Sequence, residues 1–423
     1  MASNDPSTPP LTNFDSTARA VRLADITSDL LWPRLFRAAA LALRPSRLAI
    51  ALLMLVATLL IGEAARFGLD DQPNMAGFLF SHIIGAVNGV ATGVVQLDVQ
   101  LVRSKVESLF TITAPKLWER YHIRPFLLGV PIIMVWAIGG CAISRMVACD
   151  FSLGVLMSFR QGLAFAIGRM GSLLVAVLLP LFVVSIVTLA ISAVGWLFLG
   201  FGGMQFFGAV FYGFMLVAGA IVVGLLACYI LGTPMLIPAV ACEGADGLDA
   251  IQRAFAYVLG RPLRLLVFGL IALMLGWLSV VIFDLIARAA IGFTGWASTL
   301  FAGDIAQDIV HRAAEIPERG GAARLTLAEP MDGPAGTAAQ IVRLWILIPR
   351  VIVGAFAVSY FFSASTILYL LLRQAHDGQD WAELWMPGMI EGTMAQAMHA
   401  RANTTTDDAG PIRIQRQPAD DKE

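Results

Sequence analysis

The sequence predicts an all-α polytopic helical membrane bundle, and two observations carry that prediction. The 423 residues are 58% hydrophobic and only 14% charged, with a mean hydropathy of +0.75, whereas soluble domains contain about 25% charged residues. Long apolar runs also recur along the chain, and each could cross the roughly 30 Å hydrocarbon core of a bilayer as a helix. A water-soluble globule is excluded, and a net charge of −1 gives no basic field for nucleic acid.

About six transmembrane helices are predicted, and they divide the chain into spans, loops and tails. The predicted spans cover 48–65, 126–147, 173–199, 211–230, 265–282 and 351–372. Residues 31–400 are expected to form one integral membrane domain, with outer excursions at 66–124 and 290–340. The polar tails, 1–30 and 401–423, lack an apolar face and are predicted to be disordered.

The segment 78–97 is a seventh candidate span, because it carries no charge although it contains His82 and Asn88. With six spans and the N-terminus inside, seventeen basic residues fall on the cytoplasmic side and ten on the outer side. Cytoplasmic flanks collect Lys and Arg, so six spans are favoured, with both termini cytoplasmic in the cell (inner) membrane. Seven spans remain the alternative.

An internal repeat precedes the first, third and fifth predicted spans. Its first and third copies share the pattern R-P-x-R-L, at 44–48 and 261–265, and the second copy keeps its arginines without the proline. The second and third copies also share an A-C-acid start that ends at Asp150 and Glu243, each ten residues before an arginine. Apolar helices with arginine-rich ends can resemble one another by composition alone. The favoured interpretation is a repeated unit of surface helix, turn and membrane hairpin.

Each copy of the repeat contains apolar residues at helical spacing, which predicts three interfacial amphipathic helices. Their apolar faces, in 35–43, 156–167 and 248–259, are expected to lie at the headgroup boundary, with arginines directed at anionic lipid. A proline suits the joint, because it breaks the surface helix and can occupy the first turn of the span. The expected interfacial residues are Arg37, Arg44, Arg47, Arg160, Arg169, Arg253, Arg261 and Arg264, and the expected joint residues are Pro45, Pro262, Asp150 and Glu243.

Short motifs in the third copy of the repeat and after the last span carry a family resemblance. Pro238, Glu243, Ala250 and Arg253 form the pattern P-x4-E-x6-A-x2-R, which Arg261-Pro262 follows. This pattern resembles bacterial polytopic proteins of unknown role, akin to the membrane domain attached to some glycerophosphodiester phosphodiesterases. A second set is similar to planctomycete predicted membrane proteins: Leu370-Leu371-Leu372-Arg373, Asp377-Gly378 and Asp380. The resemblance implies a membrane architecture without phosphodiesterase activity, because the catalytic barrel would need about 250 further residues.

Chemistry-bearing residues form no recognised motif, so no catalytic, cofactor or metal site is predicted. The four cysteines make no C-x-x-C pair and are expected to be free buried thiols. A metal site from Cys149-Asp150 and Cys242-Glu243 is disfavoured, since that donor set lacks histidine. One helix face in the outer loop is acidic, and a solvated surface is favoured over a cation site; its residues are Asp304, Asp308, His311 and Glu315.

Three hypotheses for function follow, in order of preference. The first is a non-catalytic integral membrane protein that organises lipid, anionic lipid included, or holds membrane-protein partners or a second copy of itself. The second is a transporter or channel, which would need a polar cavity reaching the middle of the membrane. The third is an intramembrane enzyme acting on lipid through Asp150, Glu243 or His311, for which no recognised catalytic set is present.

Overall fold

A computed structural model describes residues 32–65, 74–111, 113–200, 203–315 and 333–385, and these residues form thirteen α-helices and no strand. The predicted disordered tails, 1–30 and 401–423, lie outside the described residues. A short 3₁₀ turn, Trp32–Phe36, precedes the first α-helix. The helices are α1 (Arg37–Ala42), α2 (Pro45–Ala64), α3 (Met75–Val95), α4 (Val99–Thr111), α5 (Thr113–Tyr121), α6 (Arg124–Leu153), α7 (Phe159–Gly168), α8 (Met170–Leu199), α9 (Gln205–Glu243), α10 (Gly247–Gly260), α11 (Pro262–Thr299), α12 (Gly303–Ala314) and α13 (Gly333–Asp377).

The predicted all-α membrane bundle is confirmed. In the described residues, seven helices are long and apolar enough to cross a membrane: α2, α3, α6, α8, α9, α11 and α13. Each of the six predicted spans coincides with one of them, and the seventh, α3, covers most of the alternative segment 78–97. The chain is therefore a multi-pass membrane protein. Several helices are longer than the apolar runs that predicted them, and α13 has 45 residues.

One end of the bundle, called the arginine end below, is where α2, α8 and α11 begin and where α6, α9 and α13 finish. Arg47 at the start of α2 contacts Asp150 near the end of α6. Arg373 near the end of α13 approaches Glu243 at the end of α9. Six long helices therefore alternate in direction along the chain.

Helices α2 and α6 run antiparallel and meet at both of their ends. At the arginine end, Arg47 Nη2 donates to the Met146 carbonyl over 3.0 Å. At the opposite end, Arg124 Nη1 donates to the Ala65 carbonyl over 2.7 Å. The chain thus leaves α2 and enters α6 at the same end of the bundle. A single crossing by α3 alone would not return it there, so length and composition make α3 a candidate span that this geometry does not support by itself.

Helices α3, α4 and α5 form an arm that begins and ends beside α2. Asn74 caps the start of α3, where its side chain accepts from the Gly77 amide. The phenyl ring of Phe78 lies 6.2 Å from the ring of Tyr121 at the end of α5. Helix α4 packs closely on α3, because a Cβ atom at Gly89 would lie 2.7 Å from the Lys105 side chain. The return path through α4 and α5 carries six charged residues, Arg103, Lys105, Glu107, Lys116, Glu119 and Arg120.

Close packing in the bundle depends on small residues on α6 and α11. A Cβ atom added at Gly139 would lie 2.3 Å from the Met54 sulfur, and one at Gly140 would lie 2.2 Å from the Phe362 ring. Gly276 gives room in the same way to Tyr360, whose hydroxyl donates to the Ala272 carbonyl over 2.8 Å. Helices α2, α6, α11 and α13 therefore approach closely.

Helices α1, α7 and α10 each precede a long helix at the arginine end, where the three surface helices were expected. Pro45 and Pro262 each occupy the first turn of the following helix, as the joint predicts. The placement expected for α10 needs correction, because its face with Ala254 and Tyr257 is buried against neighbouring helices. This helix is therefore packed as part of the bundle.

Candidate functional site at the arginine end

Asp150 forms the centre of a buried ion-pair cluster near the end of α6. Its Oδ2 atom lies 2.5 Å from Arg47 Nη2 and 2.9 Å from Arg44 Nε. The Arg47 side chain also donates to the Leu41 carbonyl over 2.5 Å. A buried guanidinium requires such partners, because an unpaired charge in a low-dielectric interior is very unfavourable.

The interfacial assignment of Arg47 is wrong. Its relative exposure is 1%, so it faces the core and not lipid. Arg44 remains partly exposed, but it is also bound to Asp150. The R-P-x-R-L pattern gives no sign of this difference, since Arg264, the counterpart of Arg47, is exposed on α11.

Glu243 forms a second cluster, at the end of α9. Its carboxylate pairs with Arg253, accepts the hydroxyl of Tyr369 and lies 3.7 Å from Arg373 Nη1. Gly244 turns the chain there with φ +61°, and a Cβ atom at this position would lie 2.7 Å from the Trp385 ring. The turn directs α10 back so that Arg253 faces Glu243. Arg253 was expected to face lipid headgroups, but its guanidinium is paired with Glu243 and its side chain is 35% exposed.

Tyr257 and Asp377 extend this second cluster towards the C-terminal end of α13. The Tyr257 hydroxyl donates to Asp377 Oδ2 over 2.5 Å, and the His376 ring lies 5.4 Å away from the Tyr257 ring. Burial, and next the hydrogen bond to Asp377, raise the pKa of the Tyr257 phenol well above its usual range. The phenol therefore stays a neutral hydrogen-bond donor at any physiological pH.

A segment after α13, Gly378–Trp385, folds back across the arginine end and is called the strap. Arg373 Nη2 donates to the carbonyls of Asp380 and Glu383 over 2.8 and 2.7 Å. Arg145 on α6 bridges the Ala241 carbonyl at 3.0 Å and the Trp385 carbonyl at 2.6 Å. The Trp385 amide then donates to the Cys242 carbonyl over 3.0 Å. The strap therefore satisfies a carbonyl at the end of α9 that has no partner within the helix.

Arginine side chains also cover aromatic rings at this end of the bundle. The Arg169 guanidinium lies 4.8 Å from the centre of the Trp385 ring, and Arg37 lies 5.0 Å from that of Phe151. Further pairs of the same kind are Arg34 with Trp381 and Arg145 with Phe165. Such a contact contributes roughly 0.5 to 1 kcal/mol when the cation is exposed and about 2 kcal/mol when it is desolvated. Sequence reasoning missed the strap, although two tryptophans four residues apart in a polar segment were a signal.

The remaining expected interfacial residues lie on the outside of this end. Arg37 and Arg160 are exposed on α1 and α7, and Arg264 is exposed on α11. Arg169 and Arg261 are half-buried, at the ends of α7 and α10. The structure thus divides the predicted set: Arg47, Arg44 and Arg253 hold internal carboxylates, whereas the others lie at or near the surface.

Groups suited to metal or acid–base chemistry are dispersed or already bound. Among the described residues, no three His, Cys, Asp or Glu side chains gather closely enough to hold a metal ion. The acidic face of α12 is largely exposed, and Asp308 there pairs with Arg312 over 2.9 Å. Cys141, Cys149 and Cys242 are buried and Cys228 is half-buried, all as free thiols.

An apolar cavity of about 320 Å³ lies among α2, α3, α6, α8, α9 and α13. Thr58 and Trp136 lie on its wall, and Thr233 lies across from them on α9. Thr58 follows Arg47 by eleven residues, so it lies about 16 Å along α2 from the arginine end. That distance is close to half of a bilayer's hydrocarbon thickness.

Comparisons with known proteins give no relative: no family model, curated protein or solved structure matches this chain. The resemblance to the phosphodiesterase-associated membrane domain and to planctomycete membrane proteins therefore stays a prediction.

Proposed function

We propose that this chain is a non-catalytic integral membrane protein that organises lipid at the cytoplasmic face of a bacterial inner membrane. The observation that carries the proposal is the division of arginines at one end of the bundle. One group neutralises buried carboxylates and holds the helices together, while a second group is left at the surface. A fixed bundle with an outward basic rim suits attraction of anionic headgroups.

Charge asymmetry supports the orientation. The helices and strap at the arginine end, within residues 32–50, 145–169, 243–264 and 373–385, contain eleven arginines and seven carboxylates. The rest of the described chain contains nine basic and eight acidic residues. Basic flanks favour the cytoplasmic side, so both termini are assigned to the cytoplasm. Six crossings fit this assignment, with the arm α3–α5 returning to the outer end.

The outward arginines give the lipid attraction a physical basis. A basic residue near an anionic membrane surface contributes about 1 kcal/mol. Arg160 on α7 and Arg264 on α11 are exposed and lie on different helices, so they can contact different lipids. The inward arginines cannot contribute in this way, because their charges are directed at Asp150 and Glu243.

The two other hypotheses have less support. The apolar cavity lined by Thr58, Trp136 and Thr233 is called the mid-membrane cavity below. A carrier of polar solutes would need polar groups in it, but its described lining is apolar apart from the two threonine hydroxyls and the Trp136 indole N–H. An enzyme would need a free carboxylate or histidine beside a substrate, but Asp150 and Glu243 are each bound by two arginines. His311 lies on the exposed face of α12.

Lipid selectivity measured by electron spin resonance tests the proposal. We expect spin-labelled phosphatidylglycerol to be restricted by the reconstituted protein in preference to phosphatidylcholine. Replacing both Arg160 and Arg264 by Gln should move the selectivity ratio towards one, because two surface charges are lost. The control, Arg288→Gln, removes an arginine at the opposite end whose charge is already paired with Asp284 over 2.6 Å, so the ratio should stay unchanged. An unchanged ratio in the double variant would refute the proposal.

A further inference from the structure

The hydroxyl and indole groups of the side chains on the wall of the mid-membrane cavity are already hydrogen-bonded within the protein. The hydroxyl of Thr58 donates to the Met54 carbonyl over 2.6 Å and accepts from the Trp136 indole at 3.1 Å. The hydroxyl of Thr233 donates to the Tyr229 carbonyl over 2.7 Å. A water molecule needs two to four polar partners to stay in a buried site. The cavity therefore favours an apolar occupant over water.

One side of the cavity opens to the lipid-facing surface of the protein. Ile83 on α3 lines it and is 39% exposed, Phe361 on α13 lines it and is 42% exposed, and Thr233 on α9 lines it and is also exposed. Ala137, which also lines the cavity, is only 2% exposed. The cavity thus has a mouth between α3 and α9 and a closed floor on α6.

Helix α3 forms a side wall whose first half contacts the bundle and whose second half packs on α4. Its start is fixed by Asn74, whose amide donates to the Leu59 carbonyl over 3.0 Å. Further along, the Phe80 ring lies 6.0 Å from the Trp136 ring. Beyond Ile83 the helix packs on α4, and Val94 and Val95 are 59% and 84% exposed. The gap between α3 and α9 is a lateral entrance at the depth of the acyl chains.

We propose that this cavity binds one acyl chain of a membrane phospholipid, which enters laterally between α3 and α9. The volume of about 320 Å³ is at the small end of the range for ligand pockets, which suits one flexible chain and not both chains of the lipid. The occupant follows from the depth, because phospholipid chains are the apolar molecules that surround the mouth. This site rests on the proposed lipid-organising function and adds a fixed lipid to it.

Two neighbouring residues on α3 allow a matched test. Ile83→Trp places an indole in the cavity, whereas Ile84→Trp places the same group on a residue that is 57% exposed and does not line it. The probe is a phosphatidylcholine with a diazirine at the middle of one acyl chain, photolysed in liposomes. We expect adducts on Trp136 and Ile237 in the wild type and in Ile84→Trp. In Ile83→Trp these adducts should fall at least about tenfold, because two buried methylene groups already account for that factor.

Native mass spectrometry of the purified protein identifies what the cavity retains. We expect one bound phospholipid in the wild type and in Ile84→Trp, and none in Ile83→Trp. Thr233→Trp fills the cavity from the α9 side and gives the same answer if Ile83→Trp folds poorly. Retention of the lipid in both filled variants, absence of adducts on Trp136, or a bound free fatty acid or detergent in its place would overturn the proposal.

The two proposals can fail separately. The photoactivatable probe is zwitterionic, so labelling of the cavity does not depend on the surface arginines. Loss of the cavity result with intact phosphatidylglycerol selectivity would defeat only the acyl-chain site. Labelling of the cavity without any selectivity for anionic lipid would defeat only the proposed role of Arg160 and Arg264.

Discussion

The arginine end and the α8–α9 hairpin, taken here as the described residues between 181 and 230, differ in which side chains are buried. On α6, every residue from 139 to 151 is buried, and this stretch contains Arg145 and Asp150. On the hairpin, the described residues between 181 and 230 are all exposed or half-buried except Gly208. On this stretch of α6 the charged groups are therefore inside, where they bind other residues, whereas the apolar side chains of the hairpin are outside. In a membrane the hydrophobic residues of a sequence mark the surface as much as the core.

The comparison also explains why the two regions should respond differently to mutation. In the clusters around Asp150 and Glu243 each carboxylate is held by specific partners, so removing the carboxylate leaves a buried arginine without its counter-charge. On the hairpin the apolar side chains contact lipid, which adapts to a change in shape. The substitutions that follow therefore compare the stability of the two regions, and the last pair adds a measurement of lipid binding.

Asp150→Asn should produce the largest loss of stability. The change leaves Arg47, which is 1% exposed, without its carboxylate, and breaking a buried ion pair costs about 3 to 5 kcal/mol. The matched control is Asp284→Asn, because Asp284 pairs with Arg288 at the exposed opposite end and such pairs contribute about 0 to 1 kcal/mol. Unfolding in mixed micelles by titration with sodium dodecyl sulfate measures both. Equal losses in the two variants would contradict the description of the Asp150 cluster.

Leu384→Ala should cost less and should release the strap. Leu384 is 3% exposed, and truncation of a buried leucine costs about 2 to 5 kcal/mol, here at the lower end because the strap lies at the edge of the core. Hydrogen exchange of the Trp385 amide, which is bonded to the Cys242 carbonyl, should become much faster. Leu259→Ala serves as the control, since Leu259 is 70% exposed. Slow exchange of the Trp385 amide in Leu384→Ala would show that the strap is held without this side chain.

Tyr257→Phe should have a smaller effect, of about 1 to 2 kcal/mol, because it removes one hydrogen bond to a charged group and little else. The partner Asp377 is at the edge of the bundle and can be hydrated after the change. Tyr212→Phe on the hairpin, where Tyr212 is 57% exposed, should change the free energy of unfolding by less than about 0.5 kcal/mol. The same unfolding titration compares them, and a larger loss for Tyr212→Phe would reverse the contrast between the two regions.

Sequence reasoning predicted the fold class and the six long helices of the bundle, because each span had an uninterrupted apolar run. It also placed Pro45 and Pro262 at the starts of helices, since proline chemistry is local. It did not predict which arginines face the interior of the bundle and which face the surface. Arg47 and Arg264 occupy equal positions in R-P-x-R-L, yet of the two only Arg47 contacts a carboxylate. Helix α2, unlike α11, lies beside the end of α6.

The partners of Glu243 could not be predicted from the sequence either, because they depend on tertiary packing. Arg253 is ten residues from Glu243 in sequence and was predicted to face lipid, but the left-handed turn at Gly244 brings α10 back against α9. Arg160 stands at the same distance from Asp150 and remains exposed. The position of the turn differs between the two copies, because the left-handed glycine follows Glu243 directly, whereas Gly154 follows Asp150 by four residues. The arm α3–α5 likewise needed the antiparallel contact between α2 and α6 before its return could be inferred.

The most direct test of the division between inward and outward arginines is a paired measurement on Arg160→Gln and Arg253→Gln. For each variant the free energy of unfolding in mixed micelles and the selectivity for spin-labelled phosphatidylglycerol are both determined. We expect Arg253→Gln to lose stability, because Glu243 loses a partner, while lipid selectivity is retained. We expect Arg160→Gln to lose selectivity while stability changes by less than about 0.5 kcal/mol. Equal loss of lipid selectivity in the two variants would contradict the division.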